Sequence, residues 1–437
     1  VIAVLTILVF VVTFALLYQR SEGGHLVVLG GVAAVLVIGA VSGNYTPRMA
    51  MDAIYFETLA LIFGMSAITA LLARSGVFVY LAAGTAEWSE GNGRWVLVMM
   101  SLVTYVIALA SNSLATVAVV VPVTLTICYR TGFDPVPVMI AEIIAANLGG
   151  ASTMIGDFPN MILASAGGLH FHDFIAGMMP ICLVLLAAML IFFERRLGDW
   201  RPVANPAESG WGNDEDLRRP EIDRGLLRLG LITFSVTVAA LVLAGIEGIR
   251  PGWIAFAAGL VALLVGGFRD DEFFAACGGS DILFFGGLFV MVGGLNAAGV
   301  LEWMVRWLEM VTAGHGAVRA IVVMWAAAAT TIFVGGGTSA AVFAPLAASL
   351  RLDGDSQAAW WALALGIMAG SSAALSGATA GALAMNQYAG FLRRHPELAA
   401  ATASMAKFTH REYARWGLPM MGVFLTVSTL YIAVIAG

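Results

Sequence analysis

Asn147-Leu148-Gly149-Gly150-Ala151-Ser152-Thr153-Met154-Ile155-Gly156-Asp157-Phe158-Pro159-Asn160 interrupts an apolar segment that runs from about 135 to 168. That segment is long enough to cross a bilayer. Three glycines, a proline and the polar side chains of Asn147, Ser152, Thr153, Asp157 and Asn160 stand where hydrocarbon would be expected. A helix does not run smoothly through such a stretch, because Gly and Pro disfavour a helix interior by roughly 1 and 3 kcal/mol. Irregular backbone at membrane depth is tolerated only where protein or a water-filled cavity surrounds it. Broken helices of this kind build the ion and substrate sites of secondary transporters. The stretch therefore reads as the centre of a transport site.

The rest of the chain supplies the membrane. Of its 437 residues 60% are hydrophobic and 11% charged, and the mean hydropathy is +0.90. Apolar runs of about 20 residues recur from end to end. Cys128, Cys182 and Cys277 are widely spaced, form no metal-ligand pattern and read as packing residues. Residues 1–17 read as a crossing rather than as a cleaved signal peptide. No ATP-binding motif is present: Gly335-Gly336-Gly337 lacks the following Lys of a phosphate loop. Nothing in the chain calls for a cofactor, a metal or a nucleic acid.

Crossings are expected near 1–19, 24–42 and 53–75, then an interfacial stretch over 77–90. Residues 94–130, broken at Ala110-Ser111-Asn112-Ser113, suit a re-entrant hairpin. The broken helix 135–168 and a crossing at 171–194 follow. The hydrophilic stretch 195–223 separates this half from a second one, 224–437. There, crossings fall near 224–246, 249–268 and 280–299, with an interfacial stretch bearing Trp303 and Trp307. A second interrupted run covers 316–350, a second broken helix 357–388 and a last crossing 413–436.

Short matches recur in order. Ser75-Gly76-Val77 is answered by Ala298-Gly299-Val300 and Pro122 by Pro345 at one constant offset, and Gly149 and Gly156 by Gly370 and Gly377 with a small shift. The expected fold is thus an all-α polytopic membrane protein of two inverted repeats, 1–194 and 224–437. Each has five transmembrane segments, a re-entrant hairpin and a broken helix. Charge supports the inversion. If 195–223 is a cytoplasmic linker, every one of the 22 basic residues lies in an inside loop except Arg48, Arg250, Arg306, Arg319 and Arg351. Positive charge marks the cytoplasmic side, which here is the inner face of the cell membrane. No Lys or Arg then remains for the transport core.

The stretch 147–160, with its Gly149-Gly150, Ile155-Gly156-Asp157 and Pro159-Asn160, resembles the signature of the ion-transporter superfamily. That group includes arsenite efflux carriers of the ArsB type, the melanosomal P protein, NhaD-type sodium/proton antiporters and divalent-anion/sodium symporters. Ser111-Asn112-Ser113-Leu114-Ala115-Thr116 likewise resembles the hairpin tip of the symporters. The resemblance implies a scaffold and a moving transport unit, with hairpin tips and breaks enclosing the site. The second half departs from it. Its tip reads Gly335-Gly336-Gly337-Thr338-Ser339, and its break, Ser371-Ser372-Ala373-Ala374-Leu375-Ser376-Gly377-Ala378-Thr379, holds no acid.

Asp157 is the leading residue for ion or proton coupling, since acids inside membranes usually have partners or function; the competing role is a helix cap. Glu142 is the second coupling candidate, against a structural partner. Asn112 and Asn147 offer amide groups suited to oxyanions, hydroxyls or a hard cation, or to interhelical bonds. Ser113, Ser152, Thr153, Asn160, Thr338, Ser339, Ser372 and Ser376 complete the expected site, although hydroxyls also simply pack helices. His170-x-His172-Asp173 mimics a metal spacing but falls in an outer loop. One acid among neutral groups favours proton-coupled efflux of a small inorganic species such as arsenite or antimonite. Sodium/proton antiport comes next, then sodium-coupled di- or tricarboxylate symport; a passive channel is the alternative outside the carriers. No nucleophile–base pair converges, so no enzyme is expected. A homodimer and a separate ATPase subunit stay open as partners.

Overall fold

The computed structural model describes residues 2–19, 23–88, 92–197, 221–312, 315–349, 357–395 and 407–436. Most of the linker 195–223 lies outside them. The described residues are helical throughout, with no strand among them. The first half runs α1 (Ile2–Gln19), α2 (Gly24–Ser42), α3 (Pro47–Asp52), α4 (Phe56–Arg74), α5 (Val77–Trp88), α6 (Gly93–Ala108), α7 (Ser113–Thr131), α8 (Pro135–Ser152), α9 (Phe158–Gly167), α10 (Phe171–Gly177) and α11 (Met179–Leu197). The second runs α12 (Arg224–Glu247), α13 (Pro251–Gly266), α14 (Asp270–Ala276), α15 (Gly279–Ala297), α16 (Val300–Thr312), α17 (Gly316–Val334), α18 (Gly336–Ser349), α19 (Ala358–Ser371), α20 (Gly381–Arg394) and α21 (His410–Ile435).

Seven of these are long and apolar enough to cross a membrane, or eight if α10 and α11, bent by 45°, form one span. Exposure sorts them. Val4 and Val11 of α1, Leu26 and Val41 of α2, Val236 of α12 and Leu264 of α13 are exposed apolar side chains, which is the surface a bilayer covers. By contrast every residue of α8 and of α19 is buried. These two helices form the centre, touching each other and sharing α21 as a neighbour.

The packing follows the sequence matches. α6 lies against α8 as α17 lies against α19; α4 crosses α13 as α15 crosses α2; α18 meets α9 as α7 meets α20. Each half thus completes the other, and within each half small residues let backbones approach. A Cβ on Gly149 would collide with the Tyr105 carbonyl, and one on Gly370 with that of Ala328. Short helices α3 and α14 occupy matching places ahead of α4 and α15. Both fall at segment ends that hydropathy alone leaves unresolved. The interfacial stretch near 300 is α16, whose Trp303 and Trp307 are exposed.

Candidate functional site

The first break spans residues 153–157. Helix α8 stops at Ser152, Thr153 turns extended, and Asp157 caps α9, its Oδ1 accepting from the Phe158 N–H at 2.9 Å. Only glycine fits at 156, where a Cβ would come within 2.8 Å of the Ala108 carbonyl. The carbonyls left over at the end of α8 need donors. Asn160 provides them: its Nδ2 lies 3.2, 3.0 and 2.8 Å from the carbonyls of Gly150, Ala151 and Thr153. Thr153 donates to the Leu109 carbonyl at 2.9 Å, and the hydroxyls of Ser152 and Tyr105 are 2.8 Å apart. Ser152 and Thr153 therefore tie the break to the end of α6.

The second break, 372–380, repeats this device. Ser376 donates to the Ile332 carbonyl at 2.8 Å, and a Cβ on Gly377 would lie 2.9 Å from that of Thr331. The two breaks meet where Asn147 donates to the Ser372 hydroxyl at 3.3 Å. Ser372 in turn donates to the Met368 carbonyl at 2.9 Å.

Helix tips close the site. Asn112 caps α7, accepting from the Ala115 N–H at 2.8 Å. The next residue, buried Ser113, places its hydroxyl 3.2 Å from Asp157 Oδ2 and 3.5 Å from the Ala146 carbonyl. Opposite, Gly335 turns the chain between α17 and α18 at φ +81°, a conformation open to glycine. A Cβ on Gly336 would lie 3.0 Å from Ser371 Oγ and 3.2 Å from Pro159 Cγ, so this tip presses on both breaks. Thr338 and Ser339 are buried behind it, and Ser339 Oγ has no partner.

Between α8–α9 and α19 remains a narrow cleft with room for about one water. Asn147, Asp157, Asn160 and Ser371 give it polar groups, while Ile367 and Met368 wall it. No basic side chain lines it. Of the residues expected from sequence, Asn147, Asp157 and Asn160 come together here, with Ser113 joined through Asp157 and Ser372 through Asn147. Ser152, Thr153 and Ser376 hold backbone instead. Ser371 was not expected; it is the neighbour of Ser372, and only the angle at which α19 ends decides which of the two faces the cleft. Glu142 lies elsewhere, buried in α8 and bonded to Thr124 of α7.

A wider cavity of about 430 Å³ opens beside the C-terminal end of α9, with Glu57, Ser165, His170 and Arg250 on its walls. Asp173 holds both nearby imidazoles, 3.7 Å from His170 Nδ1 and 3.4 Å from His172 Nε2. Among the described residues no group of three side chains has metal-binding geometry.

Buried broken helices, glycine-tight hairpin junctions and a polar cleft at their meeting point define a multi-span membrane transporter. The chain belongs to the CitMHS family, described as citrate transporter, whose model matches residues 3–366. It is 72% identical over 433 residues to the magnetosome protein MamN of Magnetospirillum gryphiswaldense, covering 99% of both chains. It is 27% identical over 488 residues to the P protein of Sus scrofa, covering 93% of this chain and 56% of that one. The Alcanivorax borkumensis YdaH transporter has a similar fold, with a TM-score of 0.58 at 16% identity, over 91% of this chain and 87% of that one.

Proposed function

We propose that the chain is a secondary active carrier working by alternating access, with two inverted repeats whose tips at 109–112 and 335 are re-entrant. Substrate binds between the two breaks, against Asp157, Asn147 and Ser371. The observation that carries this reading is the cleft itself: one carboxylate, amides and hydroxyls, drawn from both halves and enclosed by both tips. Such a site accepts and releases a proton or cation at Asp157 as it faces either side.

Charge selects the cargo. A carboxylate with no Arg or Lys beside it repels a free polyanion and suits a small neutral or cationic species. Proton-coupled efflux of a species such as arsenite or antimonite fits first, and sodium/proton antiport second. The family description favours a further reading, citrate transport. In this cleft a tricarboxylate would have to arrive with its charge offset by a bound cation. The relative named a magnetosome protein suggests the same compartment for this chain.

The test is a thermal-shift screen of purified protein against arsenite, antimonite, sodium, lithium, citrate and citrate with magnesium. The leading reading predicts a saturable shift with arsenite or antimonite that Asp157→Ala removes. A shift confined to citrate with magnesium would replace it with the family's described cargo. A shift that survives Asp157→Ala would move the site out of this cleft.

A further inference from the structure

A second buried carboxyl stands apart from the cleft. Glu142 lies about two turns into α8, with no exposed surface. Thr124 of α7 donates a short hydrogen bond to its Oε1, and Oε2 has no partner. Asn147, about 7.5 Å further along the same helix, already turns to the cleft and Ser372.

Charges on the helices packed around α8 are placed at their ends. Arg94 is the one charge on α6, and it pairs with Glu194 of α11 at 3.5 Å. Arg195 and Arg196 close α11, the latter lying over the rings of Phe192 and Trp416. His410, Arg411, Glu412 and Arg415 open α21, and α19 has no charged residue. Tyr105 of α6 and Cys182 of α11 sit by Ser152, at the other end of α8. Buried Tyr413 of α21 has no hydrogen-bond partner. On α7, Tyr129 stacks on Phe391, and Arg130 follows it in sequence. A carboxylate at Glu142 would therefore have one hydroxyl donor and no cation, the least compensated state for a buried charge. A neutral carboxyl fits the same surroundings.

The seam of α7 and α8 leads from Glu142 to the turn between the two helices. Cys128 stands one turn beyond Thr124 on the same face of α7 and is buried as Thr124 is. Asp134 is half-buried and caps α8 through the Val136 N–H at 3.0 Å. Thr124, Cys128 and Asp134 thus mark a line from Glu142 to the α7–α8 turn.

We propose that Glu142 is a proton-carrying site separate from the substrate cleft, loaded in this conformation and exchanging with water along the α7–α8 seam. It deepens the carrier reading: Asp157 contacts cargo and titrates with it, while Glu142, outside the cleft, stores a second proton. The step is a proton transfer alone: hydronium near Asp134 gives a proton to the carboxylate and becomes water, and the carboxyl returns the proton to water.

Infrared spectroscopy on the protein in lipid nanodiscs tests this without a substrate. Near neutral pH the wild type should show the carbonyl stretch of a neutral carboxyl, and transfer to D2O should shift it within minutes. E142Q should lose that band and D157N should keep it. T124V should move it to higher frequency by removing the hydrogen bond, which keeps the assignment secure should E142Q not fold. Two results would overturn the proposal: no neutral band that responds to E142Q or T124V, or a band unmoved by D2O over hours, which marks a sealed structural acid. Failure of the cleft reading appears elsewhere, as cargo binding that survives Asp157→Ala, and leaves the Glu142 band untouched.

Discussion

Asp157 holds two positions at once: it caps α9 through Oδ1 and meets Ser113, at the first hairpin tip, through Oδ2. The two roles separate by substitution. Asn caps a helix about as well as Asp, so Asp157→Asn should keep expression and melting temperature near wild type while abolishing pH-gradient-driven transport. Intact uphill transport in proteoliposomes would reduce Asp157 to a cap. Asn112 poses the same question. Its side chain caps α7 at the rim of the site, and Asn112→Ala should weaken cargo binding. If it is instead structural, binding should hold while stability falls by about 0.6–2 kcal/mol. That these residues need an explanation was legible in the sequence, because Asn and Asp inside an apolar run demand a reason. Which way each points was not. Ser152 and Thr153 read as ligands, yet they bond Tyr105 and the Leu109 carbonyl, partners in another helix that only tertiary packing brings near. The pairing of Glu142 with Thr124 was hidden for the same reason: it depends on the register of α7 against α8.

The two breaks are the elements that place these side chains. In each a hydroxyl bonds a carbonyl near the end of the helix before the tip, Thr153 to Leu109 and Ser376 to Ile332. Thr153→Val and Ser376→Val should each lose about 1 kcal/mol, seen as similar drops in melting temperature. A large drop in one and none in the other would break the equivalence of the halves. Gly149→Ala should be more severe, because the new methyl meets the Tyr105 carbonyl and overpacking costs about 1–3 kcal/mol. Hydropathy outlined these helices well: the expected breaks at 147–160 and near 371–379 fall where α8 ends and α9 begins, and where α19 ends and α20 begins. It merged what composition cannot separate. Expected as one crossing, 171–194 is α10 and α11 bent by 45°, since nothing in their apolar residues records the angle. Pro122 shows a sequence signal with a structural answer. It leaves the Ala118 carbonyl without its usual donor, and Gln387 of α20 donates to that carbonyl at 2.8 Å. A proline in one half thus fixes a contact with the other.

The molecule has, among the described residues, two wholly buried helices at its centre, while helices such as α1, α2, α12 and α13 present apolar side chains outward. Its orientation rests on the basic residues. A single cysteine placed in 205–215 or 396–404, both outside the described residues, should resist membrane-impermeant thiol reagents in intact cells. One at 168–170 should react, and the reverse pattern would invert the topology. At this scale the protein is proposed to move its cargo by alternating access through the cleft at Asp157. Counterflow measures it directly, with the purified protein in liposomes preloaded in turn with arsenite, sodium, or citrate with magnesium, and the same species labelled outside. The expected result is saturable uptake of at least one of them that preloading accelerates and Asp157→Ala removes. Flux that grows linearly with the gradient and ignores preloading would make the protein a channel, without alternating access.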